Sequence, residues 1–228
     1  MSLEDLKNKP LLYNKSLKIQ GPAGLAGTRT LTVTFRVETK TVNETIKLIP
    51  EAVVTGAATM DHMGTKITVE ETGTANCYWL PWGTGKVYVG QLGGDHEYFF
   101  TYTINGCGVF IGGTETHPLI AHANLDSERL DTIANNAGAL ISKEPKKAIS
   151  ISAQAGEDQA EVYDQFYFNL GTTMITGELM SGARLEVVTP QQYLINAGAG
   201  YGAVFGIQNG GRWTFYGNWA SKTKKIWP

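Results

Sequence analysis

Leu31, Val33, Phe35 and Val37 alternate with Thr32, Thr34 and Arg36. A period of two puts apolar side chains on one face of a strand and polar ones on the other. Strand-like runs follow at 45–49, 65–70, 76–80, 86–89, 98–104, 108–111 and 118–121, separated by turns rich in Gly, Thr and Asn. The period then changes. Leu130, Ile133, Ala134 and Ala137 recur at helical spacing, with Asp126 placed to cap the start and Gly138 to end it, which predicts an amphipathic helix over 125–138. Residues 148–153 read as another strand, and 159–169 fits either a helix or a buried strand. Thr189-Pro190 has the form of an N-cap followed by proline at the first helical position, predicting a short helix through Ile195. The clearest hairpin joins 201–207 to 212–219 through Gln208-Asn209-Gly210-Gly211. Repeats, linkers and low-complexity tracts are absent from the sequence.

A chain of 228 residues, 42% hydrophobic and 18% charged, is long enough for one well-buried domain, so a single domain over 1–228 is expected. Its 27 glycines against 8 prolines fit many tight turns. A net charge of −2 argues against nucleic-acid binding, which calls for a basic patch and a high pI. Lys222-Thr223-Lys224-Lys225 reads as a solvated basic end. No apolar run approaches the ~20 residues of a membrane span, and Met1-Ser2-Leu3-Glu4-Asp5-Leu6-Lys7 lacks the apolar core of a secretory signal. A soluble monomer with no membrane partner is expected, cytoplasmic in its producer and reaching any other cell without a cleavable signal. Two cysteines, Cys77 and Cys107, make no disulfide scaffold or zinc knuckle, and no metal or organic cofactor is expected.

Chemistry concentrates in residues 98–110. Cys107 directly follows Gly106 at the end of an aromatic, β-branched run, and His117 and His122 come shortly afterwards. Thiol catalysis needs this combination, because the thiolate is the reactive species and a nearby base must generate it. Taken alone, Cys107 reads more ordinarily as a small buried hydrophobe than as a nucleophile. Cys77, with no imidazole near it in sequence, reads as core. His117 sits in a Gly/Thr-rich loop before Pro118 and reads as a surface residue, as do His62 and His96. Two-residue alternation puts Thr101, Thr103 and Asn105 on one face, with Cys107 close to it. A hydroxyl or amide there can orient the histidine or donate to an oxyanion, although asparagine before glycine is also a common turn residue. Trp79, Trp82, Trp213 and Trp219 either line a groove or, more ordinarily, fill a core. The glycine-rich stretch 198–206 lacks the following helix and downstream acid of a dinucleotide site. Glu70-Glu71 and Glu157-Asp158 read as solvated turns, so no carboxylate pair suits glycoside hydrolysis.

Several of these residues together resemble one family. Trp79-Leu80-Pro81-Trp82, Phe99-Phe100-Thr101-Tyr102, Gly106-Cys107-x-Val109-Phe110-x-Gly112, Pro118 and His122 are similar to the catalytic region of the Burkholderia lethal factor type glutamine deamidases. These toxins are related in fold to the cytotoxic necrotizing factors and, more distantly, to the chemotaxis receptor deamidases. The likeness covers roughly residues 75–125. It implies an α+β fold, a β-sandwich of mixed strands flanked by a few helices. It also implies a catalytic set of Cys107 as nucleophile, His122 downstream and Thr101 six residues upstream. The family's Leu-Ser before Gly-Cys is here Ile104-Asn105, which replaces a hydroxyl with an amide. The interval of fifteen residues from Cys107 to His122 resembles the necrotizing factors more than the lethal factor, and selects His122 over His117.

The activity implied by this resemblance is hydrolysis of a glutamine side-chain amide in a target protein, with Asn105 and Gly106 at the oxyanion or substrate-positioning site. Relatives act on a host translation helicase or on small GTPases, so a host translation factor or GTPase carrying a reactive glutamine is the partner it implies. A cysteine protease or transglutaminase would use the same thiol–imidazole pair. A non-enzymatic β-sandwich binding module would need neither.

Overall fold

The computed structural model describes residues 2–22, 29–37, 40–50, 54–70, 75–83, 86–124, 185–195 and 197–228. The helix expected at 125–138, the strand at 148–153 and the segments 157–158 and 159–169 lie outside the described residues. The chain begins with a helix, α1 (Leu3–Asn8), and a 3-10 turn, Pro10–Leu12. Strands β1 (Lys18–Gln20), β2 (Arg29–Val37), β3 (Lys40–Pro50), β4 (Val54–Met60), β5 (Lys66–Glu70), β6 (Ala75–Leu80) and β7 (Lys86–Gln91) follow. Next come β8 (Tyr98–Thr101), β9 (Gly108–Gly113), β10 (Pro118–Asn124), β11 (Glu186–Val188), β12 (Ala203–Asn209), β13 (Arg212–Trp219) and β14 (Lys222–Trp227). The described residues are thus mostly β, with few helices.

They form two mixed sheets. One has eight strands in the order β1-β5-β4-β6-β8-β12-β13-β14, and the other six in the order β11-β9-β10-β7-β3-β2. Strand alternation in the first sheet explains how both of its faces are used. Cys77 and Trp79 on β6, Tyr98 and Phe100 on β8, and Phe205 and Ile207 on β12 share one apolar cluster with Leu3, Leu6, Tyr13 and Leu17 of the N-terminal segment. Residues one step out of phase face the second sheet. Tyr78 donates its hydroxyl to the carbonyl of Gln91 on β7 at 2.6 Å, and Thr101 meets His122 of β10.

The N-terminal segment is anchored by ordinary helix chemistry. Ser2 and Asp5 form a reciprocal capping box that satisfies amides at the start of α1. Leu3 and Leu6 then fall on one face and are buried, while the Tyr13 hydroxyl donates to the carbonyl of Gly64. α1 is not among the elements expected from the sequence.

Several strand boundaries differ from expectation for visible reasons. The strand expected to run to residue 104 stops at Thr101, because Thr103 turns its backbone N–H to the Ile19 carbonyl at 3.0 Å. The hairpin strands β12 and β13 reach inward until only Gly210 and Gly211 separate them, both at positive φ (58° and 79°), as a tight two-residue turn demands. The segment after Pro190 is helical, but Gln191–Ile195 is a π-helical turn. Lys222-Thr223-Lys224-Lys225 is no loose end. It belongs to β14, paired along β13, with its lysines exposed and Trp227 buried.

Burial has a pH consequence. Desolvation pushes the Cys77 thiol up to about 12, and does the same to the hydroxyls of Tyr13 and Tyr98, both to about 12. Each group keeps its proton in the folded state after the unfolded chain has lost it, so stability is full below the ordinary pKa values and declines as pH climbs from about 9 towards 12. Urea midpoints at neutral and alkaline pH should show this decline, and a flat profile over that window would contradict it.

Candidate active site

Two strand ends and the middle of a third strand meet between the sheets. Thr101 ends β8, Leu80 ends the parallel neighbour β6 in register with it, and His122 lies within β10 of the opposite sheet. Thr101 and His122 are 0% and 1% exposed, so their polar atoms need protein partners. The Thr101 hydroxyl donates to the Leu80 carbonyl at 2.8 Å, and its oxygen lies 2.7 Å from Nδ1 of His122. A carbonyl only accepts, so the single hydroxyl proton is committed to Leu80. Thr101 Oγ1 must therefore accept from His122 Nδ1–H, which fixes the neutral imidazole in the tautomer with its lone pair on Nε2. That nitrogen is the one able to take a proton from elsewhere.

Cys107 enters from the adjoining strand. The turn before it uses Gly106 at φ 81°, a left-handed conformation that suits glycine, and β9 begins at the residue after the cysteine. His122 pairs directly with Val109 across the β9–β10 ladder. Cys107 immediately precedes β9, two residues before Val109, the cross-strand partner of His122. The thiol residue is 5% exposed, and the Tyr193 hydroxyl donates to its carbonyl at 2.9 Å. Ile104, at the start of this turn, exchanges both backbone hydrogen bonds with Gly202 (2.8 and 2.9 Å). The bend is therefore held from both sides. Cys77 and Cys107 are separate thiols, not joined by a disulfide.

His117 is elsewhere. It is exposed in the β9–β10 turn, where its Nδ1 lies 3.1 Å from the Thr116 hydroxyl, and it sits at the opposite end of β9 from Cys107, roughly 20 Å along the strand. Asn105 is exposed on the bend and Gly106 buried beside it. His62 is exposed, whereas His96 is half-buried, edge-on to Tyr78, and burial lowers its pKa. Trp79, Trp213 and Trp219 are core residues and not groove walls, and Trp82 is half-buried against Tyr102. The glycine-rich stretch at 198–206 runs into β12, a strand.

Sequence reasoning missed Leu80 and Tyr193. Leu80 contributes a backbone carbonyl, which no side-chain pattern announces, and Tyr193 lies in a segment read only as a helix. Among the described residues no cluster of three or more His, Cys, Asp or Glu side chains could hold a metal ion, and no helix is long and apolar enough to cross a membrane. No protein-family model matches this chain, and no curated protein matches it significantly.

Proposed function

We propose that the chain is a cysteine-dependent protein glutamine deamidase on a β-sandwich of the necrotizing-factor type. The observation that carries this reading is the Leu80–Thr101–His122 relay, which puts the imidazole lone pair on Nε2 of a histidine whose cross-strand partner, Val109, lies two residues beyond Cys107. A thiol base oriented by a third group is the arrangement nucleophilic catalysis requires. The sequence resemblance supplies the amide substrate.

In this mechanism Nε2 takes the Cys107 proton, and the sulfur attacks the side-chain carboxamide carbon of glutamine. The tetrahedral oxyanion is held by backbone N–H groups at the Gly106-Cys107 turn, with the Asn105 amide beside them. The imidazolium returns its proton to the departing nitrogen, ammonia leaves, and a thioester remains. His122 then deprotonates water, which cleaves the thioester to glutamate and regenerates the thiol. Thr101 is a positioning residue here and not an oxyanion donor, since its only proton goes to Leu80. The product gains a negative charge and loses an amide donor, enough to disable a target whose glutamine positions water or phosphate. A host translation factor or GTPase fits that description.

The test is to incubate the protein with a eukaryotic cell extract and search for single-dalton mass gains at glutamine, with ammonia measured in parallel. Wild type should produce both and Cys107→Ala neither. Peptide cleavage or amine incorporation in place of ammonia would convert the reading to a protease or a transglutaminase, and identical spectra for the two proteins would end it.

A further inference from the structure

A cavity of about 540 Å³ opens beside β1 and the β13–β14 turn, lined by Lys15, Lys18, Lys66, Ser16, Ser221 and Tyr201 among others. Three ammonium groups share it with one carboxylate, Asp61, which is already committed. Asp61 accepts from the Thr65 backbone N–H at 2.8 Å and its hydroxyl at 3.0 Å, and the Thr65 amide above all holds its pKa below the usual carboxylate value. Among the described residues no carboxylate pairs with the three lysines. Lys15 donates to the Met63 carbonyl at 3.2 Å, and Lys18 lies over the Tyr201 ring at 5.3 Å. The cavity is thus locally cationic on a chain of net charge −2.

Its position ties it to the candidate active site. Ile19, next to Lys18, is bonded to Thr103 through its own N–H (2.7 Å, to the hydroxyl) and its carbonyl (3.0 Å, from the Thr103 N–H). Tyr201 precedes Gly202, the backbone partner of Ile104. Thr103 and Ile104 both lie between Thr101 and Cys107. The wall of the cavity is therefore bonded to the segment that leads into the thiol.

We propose that this cavity docks an acidic segment of the target protein and so delivers a neighbouring glutamine to Cys107; the second half of that statement rests on the deamidase reading. Lysines are point charges on flexible stems, suited to carboxylates spaced along a peptide, whereas tight phosphate recognition favours the arginine fork, which the cavity lacks. Nucleic-acid bases need an open aromatic face, and Lys18 already covers Tyr201. Met63, 57% exposed beside Lys15, offers the docked segment an apolar contact at the rim.

The probe is a fluorescein-labelled peptide of alternating glutamate and glycine, titrated by anisotropy at low salt. It should bind wild type at least about tenfold more tightly than the same peptide with glutamine for glutamate, and K15Q/K18Q/K66Q should lose about tenfold or more. K222Q/K224Q/K225Q, which removes the same charge from β14, should stay within about twofold. Equal losses in both triple variants would reduce the effect to overall charge and overturn the proposal. So would displacement of the peptide by about 1 mM inorganic phosphate, which would mark a small-anion site. Thermal melts of both variants check folding. Iodoacetamide labelling of Cys107 in the same samples separates the two readings: lysine-dependent binding with an inert Cys107 removes the enzyme and leaves the docking site, and a reactive Cys107 without peptide binding does the reverse.

Discussion

Iodoacetamide at pH 7 is expected to alkylate Cys107 at least about a thousandfold faster than Cys77 in the folded protein. Access alone does not produce this difference, because the residues are 5% and 0% exposed and both thiols need a local opening to react. Ionisation does. With its thiol pushed up to about 12 by burial, Cys77 is thiolate in only about one molecule in 10⁵ at pH 7. Its labelling should therefore climb about tenfold per pH unit through the alkaline range. A thiol activated by a neighbouring imidazole reacts as a thiolate near neutrality, and the proposed mechanism makes Cys107 such a thiol. His122→Ala should erase the advantage of Cys107 while leaving Cys77 unchanged. Equal rates for the two cysteines in wild type would make Cys107 a core thiol and leave the proposed chemistry without a nucleophile.

Thr101→Val is expected to destabilise the fold by about 2 kcal/mol and to release the His122 tautomer. Valine keeps the shape but deletes a hydroxyl that serves two buried groups at once, the Leu80 carbonyl and His122 Nδ1–H. Each buried polar group that loses its partner costs about 1–3 kcal/mol. Thr101→Ser retains both hydrogen bonds and loses one methyl group, so it should cost less and leave the tautomer as it is. Urea unfolding measures the first effect. Nitrogen-15 shifts of the imidazole measure the second, with wild type and Thr101→Ser showing a protonated Nδ1 and Thr101→Val a mixture. Wild-type stability together with an unchanged tautomer in Thr101→Val would show that the hydroxyl orients nothing.

What the sequence disclosed followed from the nature of each signal. The period of two along Leu31 to Val37 and the paired runs around Gly210-Gly211 record local backbone preference, and strands and a tight turn stand there. The strand predicted through residue 104 stops three residues early because Ile19, more than eighty residues upstream, takes the Thr103 amide. Nothing local announces such a partner. The same contrast holds for the candidate site. Thr101, Cys107 and His122 were named as a set through the family resemblance, and the structure brings Thr101 and His122 into contact and sets Cys107 two residues from the partner of His122. Leu80 escaped notice because its contribution is a main-chain oxygen. At residues 222–225 charge correctly announced exposed lysines but not the strand that carries them, since a strand can expose its side chains and still pair its backbone.

That border strand bears on how the molecule behaves in a crowded solution. Among the described residues the eight-stranded sheet ends in β1 on one side and β14 on the other. A sheet border offers unpaired amides and carbonyls as a template for another chain, the first step towards fibrils. At β1 the template is only three residues long. At β14 it is studded with Lys222, Lys224 and Lys225, whose like charges repel a second copy arriving in register. A protein this close to electrical neutrality has little long-range repulsion to keep its copies apart, so what opposes clumping at this border is where a few charges stand and not how many the chain carries.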